Sequence, residues 1–254
     1  TGATNAYLGY QAGYTNSTGN NNTAVGQSAL YTNTGGANTA VGAAALYLNT
    51  TGGSNVGIGQ ESLKNNTTAS ENTAVGYQSL YSNTTGAENT GMGYGALRST
   101  TTSSWNAGFG AYALYSNTTG AYNTAFGAQT LQSNTTGSQN TAVGYQAGYS
   151  NTTGTKLTSI GRVSGYSNTT GGSNIYVGDS AGYTNSTGNN NTAMGDSALY
   201  LNTASNNSAF GYAALNVNSS GTSNSAFGYG ALQSNTTASN NTAVGYQAGY
   251  TNTT

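Results

Sequence analysis

The segment Asn72-Thr-Ala-Val-Gly-Tyr-Gln-Ser-Leu-Tyr-Ser-Asn-Thr-Thr-Gly-Ala-Glu88 forms one unit of a repeat that fills the chain. The unit recurs fifteen times, with a period of seventeen except for two intervals of sixteen. The units begin at residues 5, 22, 38, 55, 72, 89, 106, 123, 140, 157, 174, 191, 207, 224 and 241. Positions within a unit are numbered 1 (Asn72) to 17 (Glu88). A fixed short period predicts a solenoid in which neighbouring units bury a shared core.

The variation between units is ordered by position. Position 5 is always Gly, position 4 is always apolar, and positions 1 and 12 are each Asn in fourteen units. Position 9 is Leu in ten units and Gly in five, and Tyr follows each of those Gly residues. Both shorter units lose a residue just after the position-12 Asn, which predicts a surface turn there.

A unit of this length is too short for a helix pair but holds two short strands and two turns. The sequence therefore predicts an all-β protein, a β-solenoid (β-roll) of fifteen stacked 17-residue coils. We expect residues 1–254 to be a single repeat array and a segment of a longer chain or filament. Coils about 4.8 Å apart would place equal positions above one another.

Five columns of equal positions are expected to hold the coils together. Positions 4 and 9 would stack as buried apolar columns, and the Gly column would have positive φ or a close backbone approach. Two Asn columns would form hydrogen-bond ladders. The representatives of these ladders are Val75, Val143, Gly76, Gly144, Asn72, Asn140, Asn83 and Asn151.

Two further expectations concern packing. Tyr at position 10 would cover the gap wherever position 9 is Gly, so Tyr149→Ala should destabilise more than Tyr81→Ala. Because this core is thin, three chains could also pack together through the small residues at positions 3, 5 and 8. Alternatively, Tyr at positions 6 and 10 could form outer ladders that bury area against a neighbour.

The composition excludes several functions. The chain has no Cys, His or Pro and only four Lys and Arg residues, with a net charge of −1. Thiol and imidazole catalysis, Cys/His zinc sites and disulfides are therefore excluded. So few cations cannot form a nucleic-acid surface, and no apolar run reaches the length of a membrane span. The sequence predicts no enzyme activity, no cofactor, no metal, no nucleic-acid partner and no membrane insertion.

Asn-x-Thr/Ser at position 12 matches the N-glycosylation pattern in twelve units. The candidate attachment residues are Asn49, Asn83, Asn117, Asn134, Asn151, Asn168 and Asn235. Glycans on adjacent coils would be only about 4.8 Å apart, so a hydrogen-bonded Asn ladder is the favoured interpretation.

Two weaker candidates have simple structural interpretations. Asp179 and Asp196 share position 6 on adjacent coils beside Arg162, so the interpretation is a surface charge cluster rather than a catalytic or calcium-binding pair. Trp105, the single Trp, lies in a predicted turn and could stack on a sugar or pack locally.

The string Asn-Thr-Ala-Val-Gly-Tyr-Gln-Ala-Gly-Tyr, at 140–149 and 241–250, resembles repeat arrays of bacteriophage and phage-like tail fibres. It is also similar to the head repeats of trimeric autotransporter adhesins, through Ala142-Val143-Gly144 and the small residue Ala147. The adhesin repeats have a shorter period. The resemblance implies a left-handed parallel β-roll, trimerisation and a fibre role.

These observations predict a non-enzymatic, extracellular structural fibre or filament subunit that projects or adheres. Its expected partner is itself, as a homotrimer or an end-to-end filament, with cell-surface carbohydrate as a possible second partner. The alternative function is an ice-binding β-solenoid, because Thr occupies position 2 in nine units. Thermal hysteresis would separate the two.

Overall fold

The computed structural model describes residues 3–252 and confirms an all-β solenoid whose coils follow the sequence repeat. Each coil contributes one three-residue strand from positions 2 to 4, followed by turns. The strands are β1 Ala6–Leu8, β2 Thr23–Val25, β3 Thr39–Val41, β4 Val56–Ile58, β5 Thr73–Val75, β6 Thr90–Met92, β7 Ala107–Phe109, β8 Thr124–Phe126, β9 Thr141–Val143, β10 Thr158–Ile160, β11 Ile175–Val177, β12 Thr192–Met194, β13 Ser208–Phe210, β14 Ser225–Phe227 and β15 Thr242–Val244.

The chain forms two compact units, Thr1–Thr124 and Ala125–Thr254. In the first, β1 to β7 pair in chain order as a parallel ladder; in the second, β9 to β15 do the same. Equal positions pair with one another, so that Val75 lies between Ile58 and Met92. The repeat therefore sets the register directly.

The strand residue that points into the core is position 3, not position 4. Side chains alternate between the two faces of a strand, so positions 2 and 4 share the outer face. Ala74 and Ala142 are fully buried, whereas Val75 is half-buried and Val143 is exposed. The predicted burial of the position-4 column is therefore wrong, although its in-register stacking is present.

The rest of the core comes from the second half of each coil. Position 8 (Ala, Ser or Thr) and position 9 (Leu) are buried, as at Ser79 and Leu80. Because the small residues at positions 3 and 8 face this interior, they are not available for the close packing of three chains that the sequence suggested. The predicted burial of position 9 is correct.

Each coil turns through several residues with positive φ. Gly144 has φ 127°, and a Cβ atom there would lie 2.6 Å from the carbonyl oxygen of Gly161 in the next coil. Gly76 has the same conformation. The Gly column therefore has both features that the sequence suggested, a positive φ and a close backbone approach. At position 9, Leu80 adopts a left-handed conformation with φ 51°. Gly148, at the equivalent position of another coil, has φ 60° and is less strained because it has no Cβ atom.

Tyr at position 10 does not fill the gaps left by Gly at position 9, because it keeps the same outer column in both kinds of coil: Tyr183, after Gly182, stacks on Tyr200, after Leu199. A Cβ atom on Gly148 would meet the side chains of Leu131 and Leu157, and one on Gly165 or Gly182 would meet the ring of Tyr176. Tyr176 occupies position 3, where the other described coils except that of Tyr7 carry Ala, Gly or Ser. Core volume is thus conserved by exchanges between positions 1, 3 and 9, and the hypothesis about position 10 is corrected.

Candidate functional site

The two Asn columns are buried ladders. Asn72 Oδ1 accepts a hydrogen bond from the backbone N–H of Asn89, at 2.9 Å, and Asn140 Oδ1 accepts one from Leu157, at 2.9 Å. At position 12, Asn83 Nδ2 donates to Asn66 Oδ1 in the preceding coil, at 2.8 Å. The predicted Asn ladder is therefore present.

Both Asn side chains of a coil converge on one carbonyl oxygen. Asn72 Nδ2 and Asn83 Nδ2 each donate to Gly86 O at 2.9 Å, and Asn140 Nδ2 and Asn151 Nδ2 each donate to Gly154 O at 3.0 Å. A carbonyl has two lone pairs, so this geometry satisfies buried polar groups that would otherwise be costly.

This burial bears on the glycosylation candidates. A glycan would have to be carried by Nδ2, yet all seven candidate side chains are buried and donate inside the coil. Asn49 Nδ2, for example, contacts Asn33 Oδ1 at 2.6 Å and Gly52 O at 2.8 Å. The folded geometry favours the ladder over a glycan coat.

The outer face of the strands carries the first candidate surface, an apolar column at position 4. Ile58 is 40% exposed and Met92 is 38% exposed; in the second unit, Met194 and Phe227 are 42% and 41% exposed. No described coil has a polar residue at this outward position. We name this feature the position-4 column.

Aromatic columns form the second candidate surface. Tyr149, Tyr166, Tyr183 and Tyr200 stack at position 10 with ring centroids 5.1–5.2 Å apart and interplanar angles of 5–12°. Further stacked pairs are Tyr14–Tyr31, Tyr31–Tyr47, Tyr77–Tyr94, Tyr212–Tyr229 and Tyr229–Tyr246. Because the rings cover each other's faces, these ladders present mainly edges to a ligand.

A charged cluster interrupts the position-10 column in the first unit. Lys64 Nζ lies 2.7 Å from Glu61 Oε1, Gln78 Nε2 donates to Glu61 Oε2 at 2.7 Å, and Arg98 Nε donates to Gln78 Oε1 at 2.8 Å. Lys64 and Arg98 lie 5.5 and 5.2 Å from the ring centre of Tyr81. Glu61 therefore contacts one cation directly and is linked to the second through Gln78.

The contacts of Glu61 affect two pKa values. The hydrogen bonds from Gln78 and Lys64 lower the pKa of Glu61, and the Glu61 carboxylate raises the pKa of Lys64. Both groups are charged at neutral pH. Elsewhere, burial raises the pKa of Tyr176 strongly.

The remaining sequence candidates lie on the surface. Arg162 pairs with Asp179 at 2.9 Å, as the interpretation of a surface charge cluster expects, and Asp196 accepts a hydrogen bond from Ser197. Trp105 stacks on Tyr122 with ring centroids 4.9 Å apart, which is a local packing role. Between residues 3 and 252, His, Cys, Asp and Glu form no group of three that could hold a metal ion.

The Thr columns differ from a continuous Thr grid. On the outer strand face, position-2 Thr neighbours the apolar position-4 column, as at Thr73 and Val75. At position 13, hydroxyl groups bond to backbone carbonyls of the next coil; Thr84 Oγ1 donates to Thr101 O at 3.0 Å. The position-13 hydroxyls therefore bond within the protein and do not form an ice-binding surface.

No protein-family model, curated protein or solved structure matches this chain. Over the described range, no helix is long and apolar enough to cross a membrane.

Proposed function

We propose that this chain is a non-enzymatic structural segment of an extracellular fibre that self-associates through the position-4 column. The observation that supports the proposal is that this column is apolar in every coil although it faces outward. Apolar side chains that face water stabilise the sheet only through contacts with their neighbours along the column, whereas an interface also buries their outer surface. The extracellular location follows from the resemblance to tail fibres and adhesin heads.

The exposed area supports a second copy as the occupant. Between the first and last coils, the position-4 side chains range from half-buried, as at Val75, to 58% exposed at Phe126. At about 150–200 Å² per residue, they leave roughly 500 Å² of apolar surface in each unit. Two such faces together bury about 1,000 Å², which reaches the lower limit of a specific interface.

The spacing of the column also favours a second copy. Phe210 and Phe227 stack at 4.8 Å, and equal positions pair throughout each unit. A partner with another spacing would lose contact after a few coils. A second copy has the matching spacing in each unit, whether it packs in a homotrimer or in a filament.

The test compares the molar mass of the full chain with that of the double variant Ile58→Thr/Met92→Thr by light scattering during gel filtration. We expect an oligomer for the unmodified chain and a shift toward monomer for the variant. The control is Trp105→Thr/Tyr122→Thr, which removes two aromatic side chains of 49% and 55% exposure outside the column. A monomeric unmodified chain, or equal dissociation of both variants, would contradict the proposal.

A further inference from the structure

An open depression of about 390 Å³ lies on the first unit, beside the charged cluster. It is lined by Gln27, Ser28, Ala43, Ala44, Tyr47 and Lys64. These residues occupy positions 6, 7 and 10 of three consecutive coils. The volume lies in the range of small-molecule sites.

The depression exists because aromatic residues are missing at position 6. The coils that begin at 72 and 89 carry Tyr77 and Tyr94 there, and these two rings stack at 5.1 Å. The lining coils carry Gln27 and Ala43 instead. A short gap in an aromatic column thus opens the space.

The lining combines the groups that bind a sugar ring with one that binds an acid. Tyr47 and the two Ala methyl groups offer apolar contact, and Gln27 and Ser28 offer an amide and a hydroxyl for ring hydroxyl groups. Lys64 offers an ammonium group, and a charge-assisted bond to a carboxylate is stronger than a neutral one.

The charge balance favours an anionic ligand. Lys64 and Arg98 are two of the four cations of the chain, and Glu61 is the single carboxylate hydrogen-bonded within the cluster. The cluster therefore keeps one net positive charge. That is too little for a nucleic acid, which needs several cations, but it suits one carboxylate.

We propose that the depression binds an acidic saccharide, with the sugar ring between Gln27 and Tyr47 and the carboxylate at Lys64. This ligand would give the proposed fibre an adhesive function, so the inference rests on the proposed function. A neutral sugar of the same shape should bind more weakly because it leaves the Lys64 charge without a new partner.

The test is titration calorimetry of the full chain with trigalacturonate at 50 mM salt, compared with its methyl ester and with inorganic phosphate. We expect millimolar or tighter binding of trigalacturonate, at least tenfold weaker binding of the ester and little binding of phosphate. Equal binding of phosphate would identify a general anion site and overturn the proposal, as would undetectable binding of trigalacturonate.

Two variants locate the site. Lys64→Gln removes the charge, and Ala43→Tyr restores the aromatic residue that other coils carry at position 6; each should weaken binding at least tenfold. Arg162→Gln, a cation of the second unit, should leave binding unchanged. Circular dichroism confirms that each variant is folded. Wild-type affinity in both site variants would overturn the inference, while the molar-mass experiment tests self-association separately.

Discussion

The ring of Tyr176 lies against the backbone of Gly182, so that a side chain at position 9 of this coil would occupy the same space as the ring. The Tyr176 hydroxyl accepts a hydrogen bond from Asn185 Nδ2 at 2.6 Å. In the first unit, Tyr7 has the same relationship to Gly13 and to Asn16. A large residue at position 3 is thus matched by the absence of a side chain at position 9.

This relationship predicts a large cost for Gly182→Ala. The Cβ atom would overlap the buried Tyr176 ring and adopt φ 61°, so we expect a loss of about 2–4 kcal/mol in the free energy of unfolding. Gly230→Ala is the control, because its φ is 60° but its Cβ atom would meet first the end of the flexible Gln233 side chain, at 3.0 Å. It should cost about 1 kcal/mol. Equal losses in urea unfolding would contradict the steric account.

A second prediction concerns a defect in the Asn ladder. Position 12 of the coil that begins at 89 is Thr100, and both Thr100 Oγ1 and the facing Asn83 Oδ1 are buried without a hydrogen bond. Thr100→Asn would supply the missing Nδ2 donor, so we expect stabilisation by about 1 kcal/mol. Ser103 Oγ already accepts from Asn117 Nδ2, at 3.2 Å. Ser103→Gly should therefore increase the stability further only when residue 100 has also been changed to Asn. A fall in unfolding midpoint for Thr100→Asn would show that the ladder cannot be extended there.

The position-10 Tyr residues provide a third prediction. Tyr149 stacks on Tyr166, and Tyr81 lies between Lys64 and Arg98. Neither ring fills a core gap, so Tyr149→Ala and Tyr81→Ala should each cost about 1–2 kcal/mol. The measurement is the free energy of unfolding of each variant in urea. A clearly larger loss for Tyr149→Ala would restore the idea that its ring covers Gly148.

Alkaline pH should destabilise the second unit through Tyr176. Burial raises the pKa of its hydroxyl above the unfolded value of about 10. The folded state therefore keeps the proton where the unfolded state releases it, and this contribution to stability is complete below about pH 10 and declines as pH rises further. We expect one tyrosine to ionise only on unfolding in an absorbance titration. Tyr176→Phe should remove that step; a reversible titration of all tyrosines in the folded protein would contradict the assignment.

The repeat period predicts most of the fold, because equal positions must stack once the coil length is fixed. Apolar character at position 4 does not indicate burial here, since strand alternation around Ala74 places Val75 outside. The match between Tyr176 and Gly182 has a signal in the sequence, because Tyr occupies position 3 only in two coils with Gly at position 9. The missing aromatic residues at position 6 are visible in the sequence, but the period does not specify how the turns place Tyr47 and Lys64 around the depression beside them.

The central claim, that copies of this chain associate through their outward apolar columns, is tested most directly by a cryo-EM map of the assembly as isolated. The account predicts neighbouring chains side by side, with Val75, Met92 and their equivalents buried between them. Single chains with these side chains facing solvent would contradict it. Chains joined only end to end would contradict the proposed surface as well, even though a filament had formed.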